Sequence, residues 1–349
     1  MSDVCSMSGR PVERLMHYPP ISVVVPVLNE SAFIERCLRS LIPQLRPECD
    51  EILVVDGGST DETCEIVRRL QANHSGISLL HNPKRLQAAA LNLGAQLASS
   101  SSEIIIRADA HADYPLDFIE LCATNLLEQN AQSVVVPMRA EGTTPFQRAI
   151  AFAQNSRIGN GGSAHRRSSS ASRFVDHGHH AAFDRRTFLS LSGYNEKFTH
   201  NEDAEYDYRL TCSGGRIWMC SEACITYFPR KSWRALARQY FNHGQGRART
   251  LLLHRQFPKL RQVIPPVILV ATIAGMLLAP VAPIALFIPG MYIAMLIGVS
   301  VAQAIKKRDK ALLAVGLASG IMHLSWGAGF LKASANQAIN LIFRSNSGH

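Results

Sequence analysis

After a mixed, charge-bearing tail, the chain enters Ile21–Val27, an apolar run interrupted only by Ser22 and Pro26. A β-branched run without polar alternation predicts a parallel strand buried on both faces. Beyond it, Ile34, Leu38, Leu41 and Ile42 fall on one helical face, with Ser31 placed to cap. The pattern repeats. "EILVVDGGST" predicts a second strand, and Ser59 and Glu62 have capping-box spacing ahead of Ile66, Val67 and Leu70. A helical segment, "LQAAALNLGAQLA", then leads into the strand-like "EIIIRADAH". Alternating strands and helices predict a doubly wound α/β sheet, in which ligands lie beyond the carboxyl ends of the strands.

The pattern changes in the last third. Val263–Ile305 contains no charged residue. At about 1.5 Å per residue the run makes roughly 65 Å of helix, twice a hydrocarbon layer of roughly 30 Å, and so predicts two spans. Pro280 and Pro283 mark the turn between them. A second uncharged run, Ala311–Leu331, is long enough for a third span, although Gly316, Gly320, Gly327, Gly329 and His323 weaken it. Two or three spans therefore remain open. The basic residues before Val263 and the loop "KKRDK" (306–310) both favour the cytoplasmic side.

Charge sharpens this division. The formal net charge is +9, and Arg216–Gln262 holds ten Lys or Arg against one acid, Glu222. Such a block calls for an anionic neighbour. Because it runs directly into an uncharged span and carries no aromatic-basic RNA motif, membrane phosphate is preferred to nucleic acid. Within it, Trp233, Leu236, Tyr240 and Phe241 share one helical face, suited to a bilayer interface or to packing on the catalytic domain. No apolar run of signal-peptide length precedes Ile21, so the soluble part is expected to remain in the cytoplasm. The eight cysteines include no CxxC pair and are expected to be reduced, scattered thiols.

The chemistry gathers at the predicted strand ends. "PVLNES" stands where a dinucleotide fold would carry GxGxxG, and "GGST" is too short for a phosphate loop and lacks its lysine. What remains is Glu30, Asp56 and Asp109, each at a strand exit. Singly, each reads as a helix cap or loop acid; three in succession suggest a polar ligand. A carboxylate accepts hydrogen bonds from a uracil N–H or a ribose hydroxyl, and beside a diphosphate it requires a divalent cation. Asp109 and His111 leave one strand on the same side. An Asp with a His suits Mn²⁺ better than Mg²⁺, because imidazole is the softer ligand.

Taken in order, "VVVPVLNE", "ILVVDGGSTDET", "AAALNLGA", "ADAH" and "NEDAEYDYRL" resemble the inverting GT-A glycosyltransferases of family 2, over Ile21–Ile225. "RADAHADYP", "NEDAEYDYRL" and "QYFNHGQGRART" are most similar to the ExoA-type glycosyltransferases of succinoglycan biosynthesis. The resemblance implies a GT-A fold of Rossmann-like mixed sheet and a nucleotide-sugar donor. Pro26, Leu28 and Glu30 would lie near the base and Asp56 on uracil or ribose, with Gly58, Ser59, Arg85 and Asp109 completing the donor site. Asp109 occupies the first position of the DXD motif; His111 departs from its last, leaving these two as metal ligands for Mn²⁺ or Mg²⁺.

The resemblance further implies a general base in the acidic pair Glu202–Asp203, with Asp203 preferred; the same acids also suit a helix first turn. The Gly/Ser-rich stretch with Arg157, Arg166, Arg167 and Arg173 reads as a linker or a lid. His179 or His180 is a candidate for donor phosphate or metal, against the alternative of a packed histidine. "QYFNHGQGRART" stands where processive members carry QxxRW and lacks that motif. Arg247 and Arg249 are candidates for an acceptor diphosphate.

The expected organisation is a tail (1–20), a GT-A domain (21–225), a basic interfacial neck (226–262), a helical membrane region (263–333) and a C-terminal tail (334–349). The expected activity is hexosyl transfer, glucose from UDP-glucose, to a polyprenyl-diphosphate-linked saccharide. The enzyme is placed in the inner membrane, with its catalytic domain cytoplasmic and anionic lipid at the neck. A polyprenyl-phosphate hexose synthase and a non-catalytic nucleotide-sugar-binding membrane subunit are the alternatives.

Overall fold

The structure is a computed structural model that describes residues 18–156, 159 and 171–346. The part of the Gly/Ser-rich stretch carrying Arg157, Arg166 and Arg167 lies outside the described residues. The amino-terminal half supplies β1 (Ile21–Val27), α1 (Ile34–Leu41), β2 (Glu51–Asp56), α2 (Thr63–Gln71), β3 (Ile77–His81), α3 (Gln87–Leu97) and β4 (Ile104–Arg107). There follow β5 (Ala112–Asp113), α4 (Phe118–Glu128), β6 (Ser133–Val136), β7 (Met138–Ala140), α5 (Pro145–Asn155), β8 (Arg173–Val175) and β9 (His179–Asp184). The domain closes with α6 (Arg185–Ser190), α7 (Glu202–Cys212), β10 (Ile217–Met219) and β11 (Ile225–Tyr227).

The main sheet has the order β3-β2-β1-β4-β9-β6-β10-β8, and β5-β11-β7 form a small second sheet. β1, β2, β3 and β4 are parallel, so their carboxyl ends share one edge, while β9 runs antiparallel between β4 and β6. It thereby brings His179 to that same edge. The unbroken apolar runs are explained by burial on both faces. Val23, Val25 and Val27 pack under α1, α2 and α4, whereas Val24 and Ile105 pack under α3 and α7. Each such side chain contributes about 1.5–3 kcal/mol by leaving water. A Cβ at Gly94 would meet Val24 Cγ1 at 2.5 Å, so only glycine seats α3 this close to β1.

Two expected caps are not formed. α1 begins at Ile34 rather than beside Ser31, and Glu62, the residue before α2, makes no side-chain capping bond. The turns after β1 and β2 bond to each other instead. Asn29, at φ 58°, donates its backbone N–H to Ser59 Oγ and accepts from Thr60 N, both at 2.8 Å. Asp61 accepts from the backbone N–H groups of Ser31 and Thr63. Cross-strand pairing of these turns outcompetes local capping, because it satisfies donors on both segments together.

After the domain come α8 (Trp233–Leu253), α9 (Leu260–Leu278), α10 (Phe287–Lys307) and α11 (Val315–Asn346). Three stretches here, Leu260–Leu278, Pro283–Lys307 and Lys310–Ile339, are long and apolar enough to cross a membrane, which marks a membrane-associated protein. α9 and α10 form a hairpin with exposed apolar side chains. α8 does not lie free: Leu236 is fully buried in a cluster with α5 and α11, and Trp233 stays exposed.

Candidate active site

Two clefts open at the carboxyl edge of the sheet. The smaller, about 250 Å³, is lined by Pro26, Leu28, Glu30, Gly57, Arg85 and Leu86 among others. The larger, about 830 Å³, runs from Glu202 and Asp203 past α8 to Ile264 and Pro265 on α9 and Met322 and Trp326 on α11. Gln87, Asp109 and His111 line both. A group bound across this junction would have one end in each cleft.

Pro26, Leu28, Glu30 and Arg85 thus lie where the sequence places a donor. Asp56, Gly58 and Ser59 stand behind that wall. Asp56 accepts hydrogen bonds from the backbone N–H groups of Gly58 (2.9 Å) and Ser59 (3.0 Å), and Gly58 takes a φ of 84° that only glycine adopts without strain. Burial alone would raise the Asp56 pKa; the bonds from Ser59 and Gly58 hold it below the ordinary value. Asp56 therefore shapes the turn that presents Gly57 to the cleft.

Asp109 is held from three sides. Its Oδ1 accepts from Arg107 Nε at 3.1 Å and Gln87 Nε2 at 3.0 Å, and its Oδ2 lies 3.6 Å from His179 Nε2. Burial opposes ionisation, but Arg107, His179 and His111 outweigh it and hold the carboxyl well below the usual range. His111 Nδ1 lies 3.4 Å from Glu30 Oε1. Burial lowers the His111 pKa, and Glu30 and Asp109 more than reverse this, so the net shift is upward. Among the described residues, no group of three His, Cys, Asp or Glu side chains forms a complete metal cage.

The acidic pair starts α7. Glu202 is buried, and its pKa is pushed up to about 7, first by burial and then by the neighbouring Asp203 charge. Asp203 sits half-buried in the cleft wall. Burial would raise its pKa, yet His177, His180 and Arg107 hold it well below the carboxylate range. Two adjacent carboxyls in one positive environment split in this way, one keeping a proton that the other has lost. Arg107 Nη1 lies 3.9 Å from Glu202 Oε1, so one buried guanidinium connects Asp109 with the acidic pair.

His180 does not face the cleft. It is buried, with Nδ1 2.6 Å from Tyr194 Oη and Nε2 2.7 Å from Asp207 Oδ1, while His177 Nδ1 lies 2.7 Å from the other Asp207 oxygen. Of the two histidines weighed from the sequence, His179 is the one at the cleft. Alternation along β9 explains this, because adjacent residues point to opposite faces. Likewise Arg247 lines the large cleft, where burial lowers its pKa, while Arg249, two residues on, is exposed and outside the lining. Sequence reasoning missed Arg107, Arg230, Arg238 and Arg261, which also line it. The one available signal was Arg107, a charge closing an apolar strand directly before the acid motif.

A mixed α/β sheet with a nucleotide-sized cleft, an Asp-x-His at its mouth and a carboxylate pair opposite defines a GT-A-type sugar transferase. The comparisons agree: the profile of "Glycosyl transferase family 2" matches residues 22–190, and the chain belongs to that family and is a glycosyltransferase. It is 43% identical over 309 residues, 88% of this chain and 93% of the relative, to the "Succinoglycan biosynthesis protein ExoA" of Rhizobium meliloti. Over 103 residues (29% of this chain, 32% of the relative) it is 37% identical to the dolichyl N-acetyl-alpha-D-glucosaminyl phosphate 3-beta-D-2,3-diacetamido-2,3-dideoxy-beta-D-glucuronosyltransferase of Methanococcus voltae. Its fold superposes on the mannosyltransferase PcManGT of Pyrobaculum calidifontis, solved with GDP-Man and Mn²⁺. The TM-score is 0.58 at 21% identity, covering 91% of this chain and 87% of that one.

Proposed function

We propose that the enzyme inverts configuration while transferring glucose from UDP-glucose to a polyprenyl-diphosphate-linked saccharide, at the cytoplasmic face of the inner membrane, during exopolysaccharide assembly. The relationship to the succinoglycan protein of Rhizobium meliloti supports the pathway class. The observation that carries the reading is the large cleft. Arg107, Arg230, Arg238, Arg247 and Arg261 line it between the acidic pair and the apolar residues of α9 and α11. Guanidinium groups bind phosphate oxygens in pairs, and apolar helices suit a lipid chain.

The nucleoside occupies the small cleft, against Pro26, Leu28 and Glu30, with Arg85 at its rim. Asp109 and His111 would hold a divalent ion at the junction. A carboxylate beside an imidazole is a donor set that suits such an ion, and donor phosphate oxygens would be further ligands. Bound there, the ion supplies positive charge to the leaving diphosphate. Arg107 keeps Asp109 ionised whether or not the ion is present.

Across the junction, Asp203 takes the proton of the acceptor hydroxyl as that oxygen attacks the anomeric carbon opposite the leaving nucleotide. The C–O bond to the diphosphate breaks as the new C–O bond forms. Glu202, with its pKa pushed up to about 7, keeps part of its proton at neutral pH and so adds less than a full second negative charge beside the attacking oxygen. Membranes containing the enzyme, supplied with labelled UDP-glucose and Mn²⁺, should move label into the lipid-extractable fraction, and Asp203→Asn should stop this. Retained transfer by Asp203→Asn would point to a lipid phosphate as acceptor. Donor binding without transfer from any nucleotide sugar, with a full acceptor pool, would leave a binding subunit.

A further inference from the structure

Three C-terminal stretches have the length and apolarity of spans, but α11 is built into the protein differently from the other two. α9 and α10 show apolar side chains to the surroundings along most of their length, whereas none of residues 318–330 in α11 is exposed. The start of α11 is fixed to the catalytic domain. Arg148 of α5 bonds Asp309 at 3.3 Å, and Leu312, Val315, Ala318 and Met322 pack in one cluster with Ala149, Ile150 and Ala153.

Further along, α11 remains against the basic helix α8. A methyl at Gly244 would meet Trp326 O at 2.0 Å, and one at Gly329 would meet Phe241 O at 1.9 Å, so the two backbones touch. Lys332 then places its ammonium 5.5 Å from the centre of the Phe241 ring. α8 carries Arg234, Arg238, Arg247 and Arg249 and cannot lie in hydrocarbon, so neither can the part of α11 around Trp326 and Gly329 that packs on it.

The hairpin provides an independent measure of height. Gly275 of α9 meets Ala285 and Pro289 near its tip. From that contact, at about 1.5 Å per residue, Pro265 is roughly 15 Å down one leg, and Leu296 and Ser300 are roughly 10 to 16 Å down the other. Gly316 of α11 rests on Leu296 and Ser300, and Gly327 rests on Pro265. A third span beside α10 would carry Gly327 toward the hairpin tip. Instead α11 crosses the legs obliquely, passing from Leu296 and Ser300 past Tyr292 on α10 and then to Pro265, well down the other leg. The stretch after Leu331 includes Lys332, Asn336, Gln337, Asn340 and Arg344, too polar to span afterwards.

The geometry points to a two-span protein in which α11 lies obliquely across the legs of the hairpin without reaching the far side of the membrane, as a strut between hairpin and catalytic domain. Its carboxyl end is on the same side as Asp203. Met322, His323 and Trp326 then form the interface-facing wall of the large cleft, and Tyr292 Oη, 2.9 Å from His323 Nδ1, ties that wall to α10. This arrangement holds whichever acceptor the enzyme uses.

Topology reporters on the full chain test it. Green fluorescent protein, which fluoresces only when it folds on the cytoplasmic side, and alkaline phosphatase, active only when exported, are fused in turn to each terminus; the phosphatase is also inserted between Pro280 and Pro283. The expected result is fluorescence at both termini, no phosphatase activity at either, and phosphatase activity in the hairpin turn. Phosphatase activity at the carboxyl terminus with fluorescence at the amino terminus would establish a third crossing and overturn the strut. A silent phosphatase in the turn would overturn the two-span hairpin. Both outcomes are read independently of transferase activity.

Discussion

The two clefts are built in opposite ways. The small one comes from strand ends: Pro26–Glu30, Gly57, Arg85–Gln87 and Asp109–His111 all lie within the first 111 residues, on one parallel ladder. The large one gathers Arg107 from β4, His179 from β9, Asp203 from α7, Arg247 from α8, Arg261 from α9 and Trp326 from α11. The first is a local product of strand and turn. The second exists only when six distant elements have packed. On the function proposed above, the former holds the donor and the latter recognises the acceptor.

Substitutions on either side should separate these roles. The largest effect is expected from Asp203→Asn: transfer should fall about 10²–10⁴-fold with donor affinity unchanged, read by single-turnover assay and donor titration. Loss of donor affinity in that variant would break the division between the clefts. Asp109→Asn should abolish the Mn²⁺-dependent gain in donor binding and lower Tm, because Arg107 loses its ionised partner in a buried position. Donor binding that still responds to Mn²⁺ would remove Asp109 from the metal site.

Arg247→Gln should raise acceptor KM about tenfold, the equivalent of about 1.4 kcal/mol, and leave donor KM alone. Its exposed neighbour gives the contrast: Arg249→Gln should change either KM less than about twofold. Equal effects from the two would mean that general positive charge, rather than the cleft wall, binds the acceptor.

The acidic pair makes a pH prediction. Glu202 holds its proton up to about 7 in the fold against an ordinary value of 4.5. The stability from that proton is complete below the unfolded value and is lost as pH rises through the folded one. Tm should therefore fall between about pH 5 and pH 8, and Glu202→Gln should flatten that fall. Asp203, already ionised, sets no acid limb near neutrality. A transfer rate that drops about tenfold per unit below pH 7 would instead make Glu202 the base.

Strand exits at Glu30, Asp56 and Asp109, and the helix opening at Glu202–Asp203, were legible in the sequence because a buried strand and a helix first turn write their periods into consecutive residues. β3, with less complete burial, passed unnoticed. The Ser59–Glu62 spacing suggested a cap, but the Asn29 turn took up Ser59, a partner thirty residues away that no local pattern shows. Arg230, Arg238 and Arg261 read as part of a basic block facing membrane phosphate, and Arg107 as a charge at a strand end, until the fold turned them toward one cavity.

By itself, the sequence determined the α/β ladder, the acid-bearing edge, the basic block and the apolarity of the carboxyl-terminal third, since these depend on neighbours within a turn or a strand. Only the tertiary structure decided which histidine of 179 and 180 meets the cleft, which arginine of 247 and 249 lines it, and whether α11 meets lipid or protein. Hydrophobic composition records that a side chain avoids water. What covers it instead is set by packing between elements far apart in the chain.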